Sequence, residues 1–426
     1  MTQSQNKKPL AIAPISALLI SLFLAALGNG LQGTLVAVRA GLENLNEETI
    51  GIIMSSYFVG YMFGAVIVPN YVERVGHIRT FAAMASIASA ATLSHVLIIE
   101  PISWAFFRAV NGFCIAGLAL VIESWLNGHA VTENRGQILS IYGLVVVAAI
   151  GLGQLLLNIA DPGRFFLFCI VSIIISLSLV PVSLTHSVAP TIVGSSHFNL
   201  PRLLKLTPLG VIGTMITGMT MSAYLGMGPT YAQKTGLNTA GISVFMTAIM
   251  TGTLVLHWPI GRISDRVDRR VVIALVALAN GMVCLCFVGW TTSAYGVLLP
   301  LAFLLGGFGQ PLYALCVAHA NDNISTNEIL STASSLLLVF SFGSSFGPFF
   351  ASLIMGQTGP KGLFIFLGLL YLFLLLLTLY HIKQYPKVTQ EGWQRGFVST
   401  YTRTPSGVQS DAENENVEDS TDLDGS

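Results

Sequence analysis

Arg108 is the residue with most to explain. It stands inside a long apolar run, where a guanidinium costs several kcal/mol unless it faces a cavity or a partner. Two kinds of chemistry would justify it: pairing with an anion, or setting the protonation of a nearby titratable group. Asn111 follows one helical turn later and is expected to face the same way. Glu123, the nearest acid in that run, lies fifteen residues on, which is about 22 Å along a helix, so the two side chains cannot touch. No Asp or Glu falls clearly at the middle of any apolar run; His257 and His319, near helix ends, are the other titratable candidates.

The uncharged polar residues in apolar runs are the second set. Asn29 and Gln32 sit one turn apart, as do Tyr57 and Tyr61, and Gln154, Tyr224, Trp258, Gln310 and Tyr313 complete the group. Buried amides and hydroxyls need hydrogen-bond partners, which a bound solute or a neighbouring helix supplies equally well. A positioned nucleophile, a metal-ligand cluster, an acid–base pair and a glycine-rich phosphate loop are all missing, which argues against an enzyme or an ATP-driven pump. No metal, cofactor or nucleic-acid partner is expected.

The elements that hold these residues follow from composition. With 53% hydrophobic and 9% charged residues and a mean hydropathy of +0.72, the chain is an integral membrane protein, since soluble domains carry about a quarter charged residues. A span needs about 20 apolar residues. That length predicts twelve helices over 14–38, 49–70, 79–98, 102–125, 137–158, 164–184, 207–230, 240–260, 271–290, 294–317, 330–353 and 361–382. Residues 1–13 form an N-terminal segment, 14–185 and 207–382 two six-helix bundles, 186–206 a linker rich in Pro, Gly and Ser, and 383–426 a tail. That tail ends with seven acids and no base in its last sixteen residues, a composition expected to stay disordered. The five cysteines all lie in apolar runs and suggest no disulfide framework.

Between two apolar segments, Gly261 to Arg270 packs four arginines and two aspartates into ten residues, too many charges for hydrocarbon. A weaker copy runs from Pro69 to Arg79. Its Glu73-Arg74-Val75 matches Asp265-Arg266-Val267 at an offset of 265 − 73 = 192, and Leu45-Asn46 matches Leu237-Asn238 at the same offset. Two independent matches at one offset mark a duplicated half. With both termini in the cytoplasm, fifteen of the twenty Lys and Arg residues fall on the cytoplasmic side, as the positive-inside rule requires. The expectation is therefore a multi-pass protein of the bacterial inner membrane with both ends inside.

The charged loops resemble those of the major facilitator superfamily, and the resemblance covers nearly the whole chain. That family carries Gly-x-x-x-Asp-Arg-x-Gly-Arg-Arg after the second helix of each half; here Gly261 opens the second copy and Asp268 replaces a glycine, while the first copy has Pro69 and Glu73. By this resemblance Glu73 and Asp265 belong to a cytoplasmic gating latch whose cations are Arg74, Arg79, Arg266 and Arg270, with Glu123 and Asp322 as natural partners. Arg108-Ala109-Val110-Asn111-Gly112 resembles the fourth-helix Arg-x-x-x-Gly of proton-coupled members. Helix five has Gly143, Gly151 and Gly153 without the proline of drug–proton antiporters, although helix eleven carries Gly343, Gly347 and Pro348. Glu123-Ser124-Trp125-Leu126-Asn127, Arg135-Gly136 and Ala318-His319-Ala320-Asn321-Asp322 are similar to a YcaD-like bacterial branch.

The resemblance implies a monomeric secondary transporter of a small organic solute, working by alternating access within the lipid bilayer and coupled to protons. The cavity would be lined by the first, second, fourth, fifth, seventh, eighth and tenth helices. Uptake and efflux stay open, as do a facilitative uniporter and a transporter-like sensor that moves nothing.

Overall fold

A computed structural model describes residues 12–129, 135–185, 200–289, 295–322, 324 and 329–384. The N-terminal segment before residue 12, the tail from 385 and most of the linker (186–199) lie outside the described residues. The first half contains α1 (Ile12–Leu42), α2 (Glu47–Val75), α3 (His77–Leu97), α4 (Pro101–His129), α5 (Arg135–Leu155), α6 (Phe166–Leu177) and the short α7 (Leu179–Ser183). In the second, α8 (Leu200–Leu206) precedes α9 (Pro208–Lys234), α10 (Thr239–Ser264), α11 (Arg269–Gly289), α12 (Tyr295–Asp322), α13 (Ile329–Thr358) and α14 (Gly362–Gln384). Among the described residues twelve helices are long and apolar enough to cross a membrane, with α6 and α7 together forming the sixth. These spans form two pseudo-symmetric six-helix bundles, and α8 packs on the second through Leu203.

The helices outlast their apolar runs. Pro69 sits inside α2, which continues to Val75, so Glu73 and Arg74 occupy its last turn and Arg79 the first turn of α3. The predicted surface loop shrinks to Gly76, whose φ of +89° is a conformation that suits glycine. In the second copy only residues 265–268 are non-helical. Once a helix has left hydrocarbon, water solvates its charged side chains while the backbone ladder simply continues. α4 likewise runs past the predicted Trp125 to His129, which puts Glu123 about 9 Å inside the helix end rather than at it.

The 192-residue repeat is a repeat of backbone geometry. Asn44 and Gly236 both adopt positive φ, Leu45 and Leu237 donate to the carbonyls of Ala40 and Ala232, and Asn46 and Asn238 cap α2 and α10 by accepting from Thr49 N and Gly241 N at 2.9 Å. The helix crossings repeat as well. A β-carbon on Gly60 would strike the Ala109 carbonyl and one on Gly112 the Tyr57 carbonyl; Gly252 meets Phe303 and Gly306 meets Ile249 in the same way. The offsets are 252 − 60 = 192 and 303 − 109 = 194. Reciprocal glycine contacts also join α1 to α5 and α9 to α13.

Ties between the bundles gather at the end away from the termini. Lys234 pairs with Glu47 at 2.8 Å, Gln233 donates to Val38 O at 3.2 Å, and Asn158 to Ser243 Oγ at 2.9 Å. Ser243 Oγ donates to Gln154 O at 2.7 Å, and Phe349 N to Ser55 Oγ at 3.0 Å.

Replacing Gly252 by valine should lower stability by about 1–3 kcal/mol, because α10 and α12 must separate to admit the side chain. Gly281→Ala, where an added β-carbon meets open space, should change it by less than about 0.5 kcal/mol. Thermal unfolding in detergent compares them, and equal midpoints would contradict the close crossing.

Candidate functional site

A cavity of about 260 Å³ lies between the bundles. Its walls come from α1, α2, α4 and α5 on one side and α9, α10, α12 and α13 on the other. The helix missing from the expected set is α13, which contributes Leu337, Phe340, Ser341 and Ser344. None of these is a large polar residue, so its inward face gave no signal in the sequence.

Of the anticipated residues, Arg108, Asn29, Tyr57, Tyr61, Gln154, Gln310 and Tyr313 meet at this cavity. Arg108 is 2% exposed, and its guanidinium carbon lies 4.5 Å from the centroid of the Tyr57 ring. Its Nε and Nη1 are buried without a hydrogen-bond partner. Asn29 neighbours the Tyr57 hydroxyl, and the Tyr57 and Tyr61 rings lie 6.3 Å apart. Across the cavity Gln310 accepts from the Tyr224 hydroxyl at 3.2 Å, and the Tyr313 ring packs on Phe340 at 4.6 Å. Tyr224 is wholly buried and does not line the cavity; it orients Gln310 from behind.

Gln154 reaches the wall with its amide already engaged. Nε2 donates to Gly30 O at 3.0 Å, and Oε1 accepts from the Thr34 hydroxyl. It ties α5 to α1, and through Ser243 to α10, toward the end away from the termini.

Several anticipated lining residues turn away. Gln32 donates to Thr92 Oγ1 on α3 at 3.0 Å, and Asn111 lies 3.5 Å from the same hydroxyl. Each is three residues beyond a cavity residue, an advance of roughly 300° that leaves it about 60° out of register, enough to face α3. Trp258 is 67% exposed on the outside of α10, with Arg262 stacked 5.1 Å from its ring, an arrangement suited to a membrane interface. Glu123 is buried behind the wall, within electrostatic reach of Tyr61 and Tyr142.

The charged turns also depart from expectation. In the second half the central cation is Arg269, 2% exposed, instead of Arg266 or Arg270. Its Nε donates to Asp322 at 2.7 Å, its Nη1 to Ser264 Oγ at 3.1 Å, and Asp265 lies 3.5 Å from Nη2. The Asp265–Arg269 spacing of four residues was a readable signal. Arg270 pairs with Asp268 at 2.9 Å, Arg266 is exposed, and Gly261 is buried near the end of α10. In the first half Glu73, Arg74 and Arg79 are all exposed, without an ion pair among the described residues. Instead His77, the counterpart of Arg269 at 269 − 77 = 192, bonds Ser124 Oγ at 3.1 Å. His95 escaped the sequence reading. It is 1% exposed, ringed by Trp104, Phe107 and Phe168, and its Nδ1 lies 2.8 Å from Ala91 O.

Twelve spans in two repeated bundles around a central cavity define a multi-pass membrane transporter. The sequence model of the Major Facilitator Superfamily matches residues 18–208 and 210–410, so the chain belongs to that superfamily. It is 27% identical over 378 residues to an MFS-type transporter of Enterobacter sp. strain 638, covering 88% of this chain and 97% of the relative. YcaD of Escherichia coli gives 27% over 376 residues, with the same coverage of each. The fold is similar to a mutant form of the nucleoside transporter NupG, with a TM-score of 0.73 at 13% identity over 86% of this chain and 99% of that one. A bacterial homolog of the lysosomal transporter Spinster, in an inward-facing and unoccupied conformation, gives 0.72 at 13% over 90% and 100%.

Removing one side of a buried ion pair costs about 3–5 kcal/mol. Arg269→Ala should fall at the lower end, since Asp322 is 20% exposed, whereas Arg74→Ala on the open surface should stay within about 0.5 kcal/mol. Thermal midpoints of the two variants decide it; equal losses would refute the asymmetry between the turns.

Proposed function

We propose that this chain is a secondary active transporter of a small organic solute, working by alternating access in the bacterial inner membrane with both termini in the cytoplasm. The observation that carries the reading is the central cavity, walled by eight helices from both bundles, with inter-bundle ties at the end opposite the termini. Such a chamber exchanges sides when the bundles rock, breaking the ties at one end and forming others at the other. The distribution of Lys and Arg, fifteen inside against four outside with Arg108 within a span, supports cytoplasmic termini. On this reading the Asp265, Arg269 and Asp322 cluster is a cytoplasmic latch, and Glu73, Arg74 and Arg79 are its first-half counterpart.

Proton linkage would run through Glu123, a buried carboxylate behind two cavity tyrosines. A D-xylose–proton symporter shares the fold at a TM-score of 0.64 and 14% identity, so the architecture is compatible with proton coupling. A facilitative uniporter is the second reading, favoured because no Asp or Glu is among the described lining residues.

Spin labels at Glu47→Cys and Lys234→Cys, in a background free of other cysteines, report the closed end. In liposomes the labels should show a short and a long distance whose proportions shift when a proton gradient is imposed. A single distance under every condition would sink alternating access. Glu123→Gln should abolish the gradient-driven shift while keeping both distances; a shift of unchanged size removes Glu123 from coupling, and a wild type whose two distances ignore the gradient favours the uniporter.

A further inference from the structure

Arg108 is the one charged residue among the described residues that line the cavity, and no carboxylate among the described residues pairs with it. Its side chain is 2% exposed, Nε and Nη1 have no hydrogen-bond partner, and its nearest favourable contact is the Tyr57 ring at 4.5 Å. A guanidinium carries five N–H donors in a planar fork, and a tyrosine face satisfies none of them as a hydrogen bond. A desolvated cation so left is strongly unfavourable, whereas one opposite a fixed anion forms short, charge-assisted bonds. The missing counter-charge therefore belongs to whatever fills the cavity.

The remaining walls define that occupant further. With one cation facing it, a singly charged anion brings the site to neutrality, while a dianionic phosphate monoester would leave an uncompensated negative charge in low dielectric. The planar fork of Arg108 matches a carboxylate in a bidentate pair. Around it Tyr57, Phe58, Tyr61, Tyr313 and Phe340 present rings to the cavity, so the body of the occupant is apolar and best aromatic. Gln310, oriented by Tyr224, offers one hydrogen-bonding position on the facing bundle. The volume of about 260 Å³ lies at the small end of ligand pockets.

We propose that the solute is a monocarboxylate with an aromatic or otherwise apolar body, bound through its carboxylate to Arg108 and through its body to the tyrosine and phenylalanine rings of both bundles. The proposal rests on the cavity being the solute site.

The test is thermal unfolding of the full chain in detergent, at matched ionic strength in sodium chloride, with benzoate, phenylacetate and indole-3-acetate and with the amides of the same three acids. At least one acid should raise the midpoint of the wild-type protein, with its amide at least tenfold weaker in half-saturation. Arg108→Lys should weaken that acid at least tenfold, and Arg108→Gln should remove its effect. Trp258→Ala, outside the cavity, should respond as the wild type does. A merely structural Arg108 would lower the ligand-free midpoint and leave the acid response in place, which overturns the proposal. So does an amide as effective as its acid, chloride alone producing the full stabilisation, or no acid acting on the wild type. Should Arg108→Gln fail to give a single peak in size exclusion, the acid–amide comparison on the wild type and the Arg108→Lys variant decide alone. The spin-label distances separate the two readings. Acid selectivity with a single fixed distance refutes transport and keeps the anion site, while two exchanging distances without acid selectivity refute the anion site alone.

Discussion

Helices in a bilayer gain little by hiding apolar side chains from lipid, which is as apolar as they are, so their association depends on how closely two backbones approach. In this protein that approach occurs at reciprocal glycine crossings: Gly60 with Ala109 and Gly112 with Tyr57 in the first half, Gly252 with Phe303 and Gly306 with Ile249 in the second. The crossings hold α2 against α4 and α10 against α12 as stiff pairs. Each pair carries cavity residues on its inner face, Tyr57 and Arg108 in one, Met246 and Gln310 in the other. The geometry of the cavity is thus a consequence of where side chains are absent.

The two halves share this backbone scheme and differ in charge. At the position equivalent to Arg108, 108 + 194 = 302, the second half has a fully buried alanine. The buried Arg269 of the second half, held by Asp265 and Asp322, corresponds to His77 in the first, which bonds Ser124 and packs on the Trp125 ring. A duplicated scaffold has placed its intramembrane cation in one bundle and its strong surface ion-pair cluster in the other. The wall opposite Arg108 offers Gln310 and Tyr313, polar but uncharged, so the electrostatic field in the cavity is directed from one bundle toward the other.

Contacts between the bundles differ in balance from those within them. Inside each half the reciprocal glycine crossings set the closest approaches; between the halves Gly51 of α2 comes close to Ser352 and Pro348 of α13, and the polar ties include single hydrogen bonds and the Glu47–Lys234 pair, in which the lysine is 42% exposed. Exposed pairs contribute little, typically below about 1 kcal/mol. On the alternating-access reading proposed above, these ties are the ones exchanged when the bundles rock. Gln154 links both kinds: its amide fastens α5 to α1, and its carbonyl receives Ser243 from the other bundle.

The sequence by itself determined the twelve spans, the division into two halves, the 192-residue offset and Arg108 as the outstanding cation. Hydrophobic run length and exact repetition are local properties that survive without knowledge of packing. Tertiary structure decided which polar residues share a space. Asn29 and Gln32 are one turn apart in sequence, yet one faces the cavity and the other Thr92, because a residual rotation of about 60° is resolved only by the neighbouring helix. Trp258 reads as a buried aromatic and lies on the outside of α10, while Arg269 stands among four similar arginines and is the one that α12 covers. Helices also run on beyond their apolar stretches, since charged side chains outside hydrocarbon do not interrupt the backbone ladder, and α4 so extended holds Glu123 well inside it. Periodicity tells that a helix has two faces; only the helices packed around it determine which face meets the cavity.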